Sequence, residues 1–139
     1  MTGYSGTPLA KKLGIKPDFR IFADNSPDHY QALLAPLPEG VEFAATLTAK
    51  VDLVHLFTKE AKELNSRLKK YLAKIKDDAI IWVSWPKKAA KITTDITEDV
   101  IRTIALPLGL VDVKVCAVDE IWSGLKLMVR VENRKPKKR

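Results

Sequence analysis

The chain has 139 residues, 46% hydrophobic and 29% charged, with 24 Lys and Arg against 17 Asp and Glu and a single cysteine. That length suits one domain, a sheet with helices on both faces, and excludes an enzyme built on two independent cores. No apolar run approaches the ~20 residues needed to span a bilayer. The opening residues lack the apolar core of a secretory signal and Cys116 has no intrachain partner, so a cytoplasmic protein without membrane attachment is expected.

In chain order, Thr7-Pro8 ahead of Leu9 to Lys12 and Gly14 predicts a short helix, with Thr7 as its cap and Gly14 at its left-handed end. Residues 19–23 predict a strand bounded by Asp24-Asn25-Ser26-Pro27, and a brief helix runs from Pro27 to just before Pro36. Residues 41–47 predict a second strand. Residues 51–57 predict a third, whose near-continuous apolar run is that of a strand buried on both faces. Ala61, Leu64, Leu68, Tyr71, Leu72 and Ile75 then fall at helical spacing, with Thr58 as a cap.

Residues 79–85 predict another buried strand, followed by a helix from about Ile96. Thr94, Asp95 or Thr97 caps it, Asp95 forming a capping box with Glu98, and Pro107 and Gly109 end it. Residues 111–118 and 125–131 predict a closing hairpin around 119–124. Leu125, Leu127, Val129 and Val131 alternate with Lys126, Met128, Arg130 and Glu132, which gives a strand with one buried and one wet face and places it at an edge. Strands alternating with helices imply a three-layer, mainly parallel α/β sheet with a C-terminal antiparallel hairpin. Residues 1–133 form the single domain, with 1–17 as an N-terminal arm.

Residues 134–139 form a basic tail. Arg134, Lys135, Lys137, Lys138 and Arg139 hold most of the net charge of +7, and the rest of the chain has 19 basic residues against 17 acidic ones, a balance of +2. A solvated end is the favoured reading of the tail; its functional reading is weak, salt-dependent contact with nucleic acid, together with Lys11, Lys12 and Lys16.

In sheets of this kind, ligands bind beyond the carboxyl ends of the strands where the strand order reverses. That edge gathers Asp24, Asn25 and Ser26, then Thr58, then Trp85 to Lys88. A nucleotide site would need glycines in the first strand-to-helix turn and an acid after the second strand to hold the ribose. All six glycines lie elsewhere, and the second strand ends in Thr46, Leu47 and Thr48. No Walker A loop and no G-x-S-x-G elbow occur.

His55 reads as a hydrogen-bonded core histidine, not a metal ligand, and Cys116 as a small buried hydrophobe. Trp85-Pro86-Lys87-Lys88 sets an aromatic and two cations ahead of a helix start, an arrangement able to hold an anion. Asp119, Glu120, Trp122 and Ser123 read first as a tight turn and second as part of a pocket. The candidate ligand-binding residues are therefore Asp24, Asn25, Ser26, Trp85, Lys87 and Lys88, with Ser5, Gly6 and Thr7 as a lid. No catalytic residue, metal or cofactor is assigned. The expected function is a non-catalytic module that binds a small anionic ligand or a protein partner.

Four stretches, Gly3 to Pro17, Pro36 to Phe43, Trp85 to Lys88 with Asp95 to Arg102, and Leu106 to Arg130, resemble the bacterial family called domain of unknown function three-zero-five-two. The resemblance covers Gly3 to about Arg134. It implies no activity, and it departs at Asp18, where a small residue such as Gly is expected after the proline. The order of elements also resembles the Rossmann-like methyltransferase fold, whose parallel strands end in an antiparallel hairpin. That resemblance implies the alternative of a reduced S-adenosylmethionine-dependent enzyme working at the same edge. Where such enzymes carry a glycine-rich loop and a ribose-binding acid, this chain has Asp24 to Pro27 and Thr46 to Thr48.

Overall fold

The computed structural model describes residues 7–134. Helix α1 spans Leu9–Lys12, β1 Arg20–Asp24, α2 Tyr30–Leu34, β2 Glu42–Phe43, β3 Leu53–Phe57 and α3 Ala61–Leu72; β4 Ile80–Pro86, α4 Glu98–Ala105, β5 Leu110–Ala117 and β6 Trp122–Val129 follow. The six strands form one sheet in the order β2-β1-β3-β4-β6-β5. β1 pairs in parallel with β2 and β3, and β3 with β4; β6 runs antiparallel to both β4 and β5. This is the expected α/β architecture, Rossmann-like with a C-terminal hairpin. No helix is long and apolar enough to cross a membrane.

The alternation along β3 sorts the two cores. Val54 and Leu56 face α3 and α4, in a cluster with Leu64, Leu68, Val83 and Trp85. Leu53 and Phe57 face α1 and α2, in a second cluster with Leu13, Tyr30 and Trp82. Every residue of β3 is buried, which is why it reads as an unbroken apolar run.

Several local expectations change. β2 covers two residues, not seven: Ala44 donates one more bond to the Ile21 carbonyl at 2.8 Å, and then Thr48 turns the chain, accepting from the Lys50 N–H at its side chain and from the Val51 N–H at its carbonyl. α2 begins three residues late because Pro27 forms a turn, its carbonyl taking the Tyr30 N–H. Thr7 makes no cap; Pro8 holds that position. Of the three caps offered for α4, Thr97 is the one the chain uses, its hydroxyl accepting from the Val100 N–H at 3.2 Å. Asp95 serves a different helix, its Oδ1 accepting the Ala61 N–H at the start of α3 at 2.7 Å.

The hairpin also folds differently from the sequence expectation. β6 is interior, inserted between β4 and β5, and β5 is the edge. Gly124 permits the insertion, since a Cβ there would stand 3.2 Å from the Trp82 ring and from Val118. Val131 lies past the end of β6 and is 74% exposed. The β5 edge carries an irregularity between Asp112 and Lys114 and exposes Lys114, features that discourage pairing with another strand. Asp18 adopts a left-handed conformation (φ 66°), the region glycine enters freely, which accounts physically for a small residue being expected there.

Candidate functional site

The strand order reverses between β1 and β3, because β1 connects to β2 on one side and the chain returns to β3 on the other. The carboxyl ends of these two strands open a cleft of about 380 Å³ lined by Asn25, Phe57, Thr58, Lys59, Glu60, Glu63 and Trp122. Each wall follows from local sequence. Asn25 has φ 58°, so the first strand turns through the left-handed conformation that a glycine would otherwise supply, and Asn tolerates it better than most residues. The Thr58 hydroxyl donates to Glu63 at 2.5 Å and accepts from the Glu60 N–H at 3.3 Å, fixing both acids at the start of α3. The Thr94 hydroxyl and the Asp95 N–H donate to the Lys59 carbonyl, so the loop before α4 secures the same corner.

Trp122 stands edge-on to Phe57, ring centres 5.1 Å apart. Residues 119–121 form the turn ahead of β6, and Trp122, the first residue of β6, is a wall of the cleft. Asp119 Oδ1 accepts the N–H groups of Ile121 and Trp122, both at 2.8 Å, while its other carboxylate oxygen lies 3.3 Å from His29 Nε2. The first strand-to-helix loop and the hairpin tip are thereby joined.

Beneath Phe57 lies a buried polar chain. His55 is fully buried, with Nδ1 2.9 Å from the Tyr30 hydroxyl and Nε2 2.7 Å from the Ser84 hydroxyl, and its ring stacks on Phe57 at 4.3 Å. Burial pushes the His55 pKa down to about 3, so the imidazole is neutral at pH 7, one nitrogen donating and the other accepting. Burial likewise raises the Tyr30 phenol. His55 is thus a satisfied core histidine, and among the described residues no group of three or more His, Cys, Asp or Glu is placed to hold a metal. Cys116 is half-buried, and burial raises its thiol pKa.

Asp24 turns away from this cleft. Its two oxygens each lie 2.7 Å from Arg67 Nη1, and the Tyr71 hydroxyl donates to Oδ2 at 2.5 Å. Burial first, and then the Asp24 hydrogen bond, raise the Tyr71 phenol. Asp24, Thr46, Arg67, Lys70, Tyr71 and Lys74 line a separate hollow of about 240 Å³. Ser26 faces a third one, with Asp28 and Gln31.

Of the residues expected to form one site, the structure therefore brings only Asn25 into the switch-point cleft. Trp85 is 9% exposed in the α3/α4 core, Lys87 gives its backbone N–H to the Ile121 carbonyl, and exposed Lys88 begins a short 3-10 turn. Thr7 is exposed and does not line the cleft; Ser5 and Gly6 lie outside the described residues. Sequence reading missed Glu60, Glu63 and Arg67, and ranked a pocket role for Trp122 second to a turn. A signal was present on α3, where Glu63, Arg67 and Tyr71 recur every four residues and so share one helix face.

No protein-family model matches the chain, and no curated protein matches it. Solved structures do. It is similar to a SAM-dependent methyltransferase from Aquifex aeolicus, at 13% identity over 88% of each chain with a TM-score of 0.58. It is similar to a ribosomal protein L11 methylase from Lactobacillus delbrueckii subsp. bulgaricus, at 12% identity over 88% of this chain and 75% of that one, TM-score 0.51. Fibrillarin from Aeropyrum pernix, described with natively bound S-adenosyl-L-methionine, gives 11% identity over 91% and 71% of the two chains, TM-score 0.53. These likenesses establish the Rossmann-like methyltransferase fold. The expected non-catalytic module for a small anion or a protein partner does not stand beside these methyltransferase neighbours, and the cleft sets two carboxylates, Glu60 and Glu63, with Lys59 where an anion would have to sit.

Proposed function

We propose that this chain is a reduced S-adenosylmethionine-dependent methyltransferase domain that holds the cofactor in the cleft between β1 and β3. The observation that carries the reading is the lining of that cleft: two carboxylates, Glu60 and Glu63, which outnumber the cation Lys59, and two aromatic rings, Phe57 and Trp122, surround a space of ligand size at the switch point. This donor set fits the cationic half of S-adenosylmethionine. A sulfonium or ammonium is attracted to a Trp face and to carboxylates, and Asn25 gives the first turn its left-handed bend without glycine. The ribose half is matched less well, because no carboxylate follows β2 and Asp24 is bound to Arg67 and Tyr71. When bound, the cofactor supplies an electrophilic methyl group. The chain's own contribution is to orient it, through Thr58 and Glu63, and to shield it beneath Trp122.

Membership of the family called domain of unknown function three-zero-five-two belongs to the same proposal, supported by the residue strings quoted above. So does a reducing, cytoplasmic setting, supported by the unpaired Cys116.

Titration calorimetry with S-adenosylmethionine and with its neutral product S-adenosylhomocysteine tests the site. The charged cofactor binds more tightly than the product. Trp122→Ala weakens the cofactor by roughly tenfold or more, and Glu60→Gln with Glu63→Gln by about threefold to tenfold, with a smaller effect on the product, which keeps the ammonium but lacks the sulfonium charge. Absence of binding by either compound, or equal binding by the wild type and the Trp122→Ala variant, overturns the assignment.

A further inference from the structure

The opposite pole of the sheet gathers cations. Lys114 on β5 and Lys126 on β6 are direct cross-strand partners, so their side chains share one face, and like charges placed this way destabilise a sheet. Lys16, just ahead of β1, adds a third charge to the group. Among the described residues none of the three makes an ion pair with a carboxylate. Lys114 instead donates to the carbonyl of Lys12 at the end of α1, at 3.4 Å. The adjoining cleft of about 370 Å³ contains Lys16, Lys126 and Asp78 together with Asp52, whose carboxylate is already paired with Lys76 and bound to the Arg20 N–H. Burial, then Lys114 and Lys16, depress the Lys126 ammonium, as expected of a cation crowded by others.

Repulsion of this kind is relieved when an anion sits among the lysines. A polymer suits the place better than a single ion, because the cations are spread over three segments, ahead of β1, on β5 and on β6, and the chain passes from β6 through Arg134, which donates from Nε to the Val129 carbonyl at 3.1 Å, into a sequence that holds Lys135, Lys137, Lys138 and Arg139. We infer that the lysine face formed by Lys16, Lys114 and Lys126 is a docking surface for the phosphate backbone of a nucleic-acid strand. It lies at the pole opposite the β1/β3 cleft and stands independently of the cofactor reading.

The test is fluorescence anisotropy of a labelled 20-nucleotide single strand with the full chain, the tail intact. Wild-type affinity falls steeply with salt, about 50-fold between 50 and 200 mM for roughly four phosphate contacts. The triple variant Lys16→Ala, Lys114→Ala, Lys126→Ala loses most of that dependence, its log–log slope shrinking by about 2. The triple Lys→Arg variant retains the wild-type slope. Removal of the crowded charges leaves the melting temperature of the Ala variant unchanged or raised, which separates loss of docking from loss of fold. An unchanged slope in the Ala variant overturns the proposal, as does binding to anionic phosphatidylserine vesicles without binding to the strand.

Discussion

Trp82→Ala is expected to lower the free energy of unfolding by about 3–5 kcal/mol, the usual cost of emptying a large buried aromatic site. Trp82 is fully buried on the α1/α2 face of β4, the central strand that joins the parallel part of the sheet to the hairpin. Its indole Nε1–H donates to the Leu13 carbonyl at 2.9 Å, fastening the turn after α1 across the sheet, and its ring fills the space left by Gly124. Truncation therefore opens a cavity and leaves the Leu13 carbonyl without its donor. Trp82→Phe keeps most of the volume and loses the hydrogen bond, so it costs less, about 1–2 kcal/mol. Urea unfolding of the three proteins checks the order. A loss below about 1 kcal/mol for Trp82→Ala would show that this ring does not hold α1 and the hairpin together.

Acidification acts through His55. In the unfolded chain its pKa is near the ordinary ~6.5, whereas in the fold burial holds it at about 3. Because the folded value is the lower one, the unfolded state takes up the proton first. Stability is therefore complete above about pH 6.5 and is lost as pH falls toward 3. The loss is about 1.4 kcal/mol per pH unit, so about 2 kcal/mol disappears by pH 5, before most carboxylates titrate. His55→Gln lowers stability at pH 7, since Tyr30 and Ser84 lose their geometry, and it flattens the profile between pH 7 and 5. Urea midpoints measured at the two pH values decide the matter, and a wild-type profile already flat over that interval would contradict the assignment.

Much of the fold was legible because its signals were local. The unbroken apolar run of β3, the helical spacing of α3, and the proline and glycine stops around α4 each specify an element without tertiary help. The failures arose where distant residues decide. Asp95 has every local feature of an α4 cap, yet its carboxylate reaches the Ala61 N–H across the loop, and Thr97 takes the cap instead. The alternation of β6 identifies a half-buried strand but cannot tell an edge from an interior position; the close approach of Trp82 to Gly124 settles that. The site was harder still. Sequence reading looked to the carboxyl edge of the sheet, where the cleft lies, but populated it from strand ends, whereas Glu60 and Glu63 come from the start of a helix and Trp122 from the start of β6, and only the folded sheet brings these three around Asn25. Trp85 was misjudged for a simple reason: a strand that ends at the functional edge can still point its last aromatic residue into the core.

The most direct test of the account is to map S-adenosylmethionine onto the 15.6 kDa chain by amide chemical shifts in a ¹⁵N-labelled sample. Saturable shifts centred on Asn25, Thr58, Glu60, Glu63 and Trp122 are expected, with the amides of Lys114 and Lys126 unmoved. Shifts confined to another surface, or none at millimolar cofactor, would contradict the claim that the β1/β3 cleft is the cofactor site.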